Sequence, residues 1–109
     1  MEHRDRIILL KIMDEINVAQ KMIGASTLEQ FQQNEMMMRA ICMTIINIGE
    51  LTKNLTDEAR AANPSIPWKN IAGFRDIAAH KYQTLRMEDV YETVTSDFPV
   101  LKEQIERML

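Results

Sequence analysis

The chain is 109 residues long and carries 13 Lys and Arg against 16 Asp and Glu, a formal net charge of −3 at pH 7. That length holds one domain and leaves no room for a second, and apolar residues at 46% with charged ones at 27% exclude a disordered polymer. The acidic balance supplies no overall positive field, so any contact with RNA or DNA has to rest on a local cluster.

Apolar spacing is helical almost throughout, and no repeat or low-complexity linker interrupts it. The pattern predicts an all-α fold, an antiparallel up-and-down four-helix bundle with one extra short or kinked helix, as a single domain over 1–109. At the N-terminus Glu2, His3, Arg4, Asp5 and Arg6 precede a short apolar run, Ile7 to Leu10, which does not read as a signal peptide. Leu9, Ile12, Ile16, Ala19 and Ile23 then recur at steps of three and four and predict a helix over 4–23. Gly24 suits its end, and Ser26 with Glu29 three residues later resembles a capping box for the next helix.

That second helix is expected over 27–55, antiparallel to the first. Ile41, Ile45 and Ile48 form one apolar stripe, and Met43 and Ile46 lie opposite it. A helix apolar on two sides is buried against its own bundle and against a partner chain. Arg39 and Glu50 bracket the second stripe, about 16 Å apart along the helix and too far for a direct bond. The uncharged run 40–49 is about half of what a membrane span needs. Cys42 is the only cysteine, which excludes an internal disulfide and fits a reducing, cytoplasmic setting.

Thr56, Asp57 and Glu58 begin a short helix that Asn63 and Pro64 stop. Ser65 or Ile66 opens a third long helix to about Tyr82, with Pro67 in its first turn. Thr84 or Leu85 opens a fourth, which Pro99 kinks or restarts after Asp97.

Chemistry concentrates on the third helix. With Arg75 taken as zero on a helical wheel, Trp68, Ile71, Ala72, Ala78 and Ala79 lie within about 60° of it. A guanidinium amid an apolar face demands a carboxylate, a shared interface or an anionic ligand. Tyr82 falls about 20° from Arg75 if the helix continues, whereas Asp76 and His80, four apart, make a second pair about 100–140° round. Guanidinium grips phosphate oxygens in a fork, imidazole moves a proton near neutral pH, and a carboxylate can orient the ring. These groups suit phosphodiester cleavage, with His80 as general base on a ribose 2′-hydroxyl or general acid on the leaving oxygen, and Arg75 stabilising the charged transition state. That chemistry requires no metal and no cofactor.

The stretch Ile66, Pro67, Trp68, Lys69, Asn70, Ile71, Ala72, Gly73, Phe74, Arg75 and Asp76, followed by His80, Lys81 and Tyr82, closely resembles the HepT-like branch of the HEPN superfamily. Its hallmark is R-x4-H-x-Y behind a P-W-x-x-I-x-G-x-R segment, and every position is filled. The likeness extends to Arg39, Gly49 and Glu50. It implies a helical bundle that forms a homodimer, with two copies of the arginine and histidine in one composite cleft, and the sequence leaves open a higher oligomer built from such dimers. It implies a metal-independent endoribonuclease, the toxin of a type VII-like toxin–antitoxin pair acting on RNA. Its cognate partner would be a minimal nucleotidyltransferase that silences it by adenylylating the motif tyrosine. On this chain Arg75 and His80 would be catalytic, Asp76 supporting, Tyr82 the modified hydroxyl, and Arg39 and Glu50 accessory.

Plainer readings stand beside these. His80 is also a helix-end histidine favoured by the macrodipole, Arg75 an ion-pair partner of Glu50 or another acid at a dimer interface, and Asp76 a surface partner of Lys69 or Lys81. Trp68 and Phe74 read as core, and the nine methionines as core and interface filling. Two other functions compete with the nuclease: a non-catalytic subunit that binds nucleotide or docks a nucleotidyltransferase, and a purely structural dimerisation unit.

Overall fold

A computed structural model describes all residues 1–109. The chain is entirely helical and folds around one core, with α1 (His3–Ile23), α2 (Leu28–Gln32), α3 (Glu35–Lys53), α4 (Asp57–Ala61) and α5 (Trp68–His80) in order. A 3-10 turn (Tyr82–Thr84), α6 (Met87–Glu92), a π turn (Thr93–Asp97) and α7 (Phe98–Met108) complete the chain. No helix is long and apolar enough to cross a membrane.

The expected stripe of α1 is the one that is buried, Leu9, Ile12, Ile16, Ala19 and Ile23 all facing the core. Gly24 ends the helix at φ +49, a conformation that costs a glycine little and a side chain much. The expected long second helix is two. Asn34 takes an extended conformation and its side chain accepts from the Met37 N–H, so a new N-terminus starts there and α3 is a separate helix. The capping box belongs to Thr27 and Gln30, whose side chains bond reciprocally to each other's backbone N–H, and not to Ser26 and Glu29.

Contacts give the directions. Asp5 meets Thr56 and Glu15 meets Asn47, so α1 and α3 run antiparallel. The Asp5 carboxylate is buried and accepts from both the N–H and the hydroxyl of Thr56, the residue that caps α4. Those bonds, the backbone one foremost, hold its carboxyl below the usual carboxylate range.

α5 begins at Trp68, not at residue 65 or 66, and its indole N–H is fastened to the Arg60 and Asn63 carbonyls. It packs chiefly on α3. Ile41, Ile45 and Ile48 bury one side of α3, whereas Met43 on the other stands 54% exposed. α6 opens at Met87 rather than at residue 84 or 85, because the 3-10 turn occupies that stretch. The long final helix restarts at Phe98 with Pro99 in its first turn, as the proline predicts.

Candidate functional site

Gly49 of α3 faces Arg75 of α5. A Cβ at position 49 would overlap Arg75 Cβ and lie 3.3 Å from the Ile71 carbonyl oxygen, so the absence of a side chain is what lets the two helices close here. The arginine stem thus lies in a crease between helices, 20% exposed, and its head emerges at the edge. There Nη2 meets Glu50 Oε2 at 2.9 Å and Nη1 meets Asp76 Oδ1 at 3.2 Å. Nε is buried and without a partner. The Glu50 pairing anticipated as the plain reading is present, and it forms within one chain.

Asp76 is shared. Its Oδ1 also accepts from Lys53 Nζ at 2.8 Å, so Glu50, Arg75, Asp76 and Lys53 form a row of alternating charge. The Lys53 hydrogen bond, ahead of the Arg75 one, holds the Asp76 carboxyl below its ordinary value. Neither Lys69 nor Lys81 is its partner, and its carboxylate does not orient His80. Lys53 escaped the sequence reading. It ends α3 three residues after Glu50, and only the closeness of α3 and α5 brings it to Asp76.

His80 is exposed in the last turn of α5. Its Cα direction differs from that of Arg75 by about 140°. The Arg75 head, however, turns toward Asp76, and Asp76 and His80 lie four residues apart on one face. Guanidinium, carboxylate and imidazole therefore succeed one another along the same side of α5. Gly73 on that side has open space before it, and Ala79 is exposed. Glu50 and the exposed Met43 continue the same face on α3.

Tyr82 is elsewhere. Lys81 at φ −133, ψ 38 breaks the helix, so the wheel position 20° from Arg75 does not apply. The ring turns instead under Arg39, whose guanidinium carbon lies 4.9 Å from its centroid. Arg39 Nε is bonded to Glu35 Oε1 at 2.7 Å. Arg39 and Glu50 thus each find a partner of their own. Burial foremost raises the Tyr82 hydroxyl above its usual value. It also pushes the Cys42 thiol up to about 11. Tyr82 and the Arg75 row are two separate groups, the row where α3 meets α5 and the tyrosine where α3 meets the 3-10 turn. No cluster of three or more His, Cys, Asp or Glu is placed to hold a metal.

A helical bundle whose α5 carries Arg75, Asp76 and His80 along one side, with the motif tyrosine just past the helix end, has the form of a HEPN-type ribonuclease. The ribonuclease HepT-like family model matches residues 12–108, and the chain belongs to that family. It is 31% identical over 104 residues to "Putative RNase TTE0752" of Caldanaerobacter subterraneus subsp. tengcongensis, covering 95% of this chain and 93% of that protein. It is 27% identical over 106 residues to "Probable ribonuclease HepT" of Thermococcus cleftensis, covering 97% and 94%. A 33% identical match to "Gamma-glutamylcyclotransferase and putative RNase MJ0434" of Methanocaldococcus jannaschii covers 95% of this chain and 47% of that longer protein. No solved structure matches the chain.

Proposed function

We propose that two copies of this chain compose one RNA-cleaving cleft, that the chain is the toxin of a toxin–antitoxin pair in the cytoplasm, and that a minimal nucleotidyltransferase silences it by adenylylating Tyr82. The observation that carries the reading is the Arg75 head, held by Glu50 and Asp76 on the face that also displays His80. A fork tethered at both ends loses little freedom when it meets a phosphate. The small side of α5, with Gly73 open and Ala79 exposed, admits the helix of a second copy at close range. Met43 gives that contact an apolar neighbour.

In this scheme His80 of one copy takes the proton of a ribose 2′-hydroxyl. The freed oxygen attacks phosphorus, the 5′-oxygen leaves with a proton from the His80 of the second copy, and a 2′,3′-cyclic phosphate remains. Arg75 offsets the charge gathering on the phosphoryl oxygens. An entering phosphate replaces Glu50 at Nη2, while Asp76 stays held by Lys53.

The test is cleavage of RNA by the purified chain and by His80→Ala and Arg75→Ala forms. Each substitution is expected to slow cleavage by roughly 10²-fold or more, and products are expected to end in a cyclic phosphate. Equal cutting by all three forms overturns the assignment. The closed Glu50–Arg75 pair favours one second reading, a docking subunit whose arginine binds a nucleotide phosphate without chemistry. Retained nucleotide binding with no cleavage by the native chain would select it.

A further inference from the structure

A broad groove lies on the other side of α5 from the Arg75 head. It holds about 630 Å³ between α5 and the α6–α7 edge, floored by Ile45, Ile48, Ile71, Phe74, Phe98 and Leu101. Val100, 54% exposed, stands at its lip. Such a volume takes several side chains of a partner or one sizeable organic group.

Its charge is one-sided. Asp89 and Asp97 line the groove, and no Lys, Arg or His does. Neither carboxylate belongs to an ion pair. An RNA phosphate finds repulsion here, whereas a cation finds two carboxylates outside any ion pair, with Arg86, bonded to Glu88, acting on Asp89 only from a distance. Asp89 and Asp97 are eight residues apart on one continuous helical run, a separation of roughly 10–12 Å. That run includes the π turn, whose Thr93 and Asp97 both line the wall. π turns of this kind gather at functional sites.

α5 itself is supported from one side. It rests on α3, and across the groove the hydrogen bond from Gln104 Nε2 to the Ser65 carbonyl, a long 3.4 Å, lies just ahead of its first turn. The floor is therefore a vacant helix position between α5 and α7.

We propose that this groove docks an amphipathic helix of a partner protein, apolar along one stripe and carrying two Lys or Arg residues about two turns apart. Leu-sized side chains at i, i+3, i+4 and i+7 cover the floor, and cations seven residues apart, about 10.5 Å, reach Asp89 and Asp97. The inference does not rest on the nuclease reading, because none of the groove residues belongs to the Arg75 row or to the His80 face.

The experiment titrates the ¹⁵N-labelled full chain with an 18-residue peptide built on that pattern, Leu on the stripe and Lys at the two charged positions, and with its twin carrying Glu there. The Lys peptide is expected to shift amides of 71–74 and 93–101, and the Glu peptide to bind at least tenfold more weakly. Asp89→Lys with Asp97→Lys, both exposed positions, should invert that preference, and Val100→Glu should weaken the Lys peptide. Equal affinity for both peptides, shifts confined to other surfaces, or no shift with either overturns the proposal. Shifts of the same residues that grow with protein concentration alone overturn it too, and give the groove to a second copy.

Discussion

Gly49 and Arg75 touch where a methyl group could not fit, so the backbone of α3 sets the position of the guanidinium on α5. Gly49→Ala gains about 1 kcal/mol of helix propensity and meets an overpacking cost of about 1–3 kcal/mol. Overpacking wins, since the obstacle is the root of the arginine side chain and not its free end. We expect the melting temperature to fall, by about 4–8 °C per kcal/mol lost, together with RNA cleavage. A variant that melts higher and cuts normally would show that α5 is free to move aside.

Lys53 touches Arg75 only through Asp76. Lys53→Met should slow cleavage roughly 10–100-fold through loss of alignment and leave stability nearly unchanged, as removal of exposed ion pairs usually does. Lys53→Arg should restore most of the rate. Paired cleavage and thermal-melt measurements decide it; a fall in stability without a change in rate contradicts the positioning role.

For Tyr82 the ring and the hydroxyl separate cleanly. Tyr82→Phe retains the face on which Arg39 sits, so stability should hold, while Tyr82→Ala loses a contact of about 0.5–1 kcal/mol. Co-expressed with a minimal nucleotidyltransferase of the kind proposed above, the native chain should gain adenylyl mass and the Phe form none. Mass gained by the Phe form would move the acceptor to another residue.

Asp5 predicts an acid dependence of stability. Its carboxyl titrates below the usual value near 3.8 in the folded chain, so it binds its proton more readily when unfolded. The stabilisation is complete above about pH 4 and is lost as pH falls through the depressed folded value. At pH 7 Asp5→Asn should cost about 1–2 kcal/mol. The gap between native and variant in urea unfolding should narrow steadily from pH 4 to pH 2. A gap that stays constant over that range removes Asp5 from the acid response.

Much of the fold was legible because α1, α3 and α7 write their buried faces as steps of three and four. The misses share one cause, local capping that outcompetes periodicity. Asn34 divides one apolar pattern into two helices, Thr27 takes the capping box from Ser26, and Lys81 stops α5 before the wheel can carry Tyr82 to Arg75. In the site, Arg75 with Glu50 could be anticipated from an arginine stranded on an apolar face. Lys53 and the Arg39–Tyr82 stack could not, since both depend on which rungs of α3 oppose the end of α5. The groove had no sequence signal, because Ile71 and Phe74 read as ordinary core.

The π turn keeps Val90, Val94 and Phe98 on the core although their steps of four would advance a regular α-helix by about 80° over two intervals. Losing one residue of 93–97 would relax the backbone into plain α geometry and leave Phe98 within about 20° of Val90, so Leu101 and Ile105 would still face the core. A one-codon deletion is thus borne more easily in this turn than in α7, where each lost residue rotates everything after it by about 100°. The extra residue reads as an insertion the helix absorbed without moving its buried face.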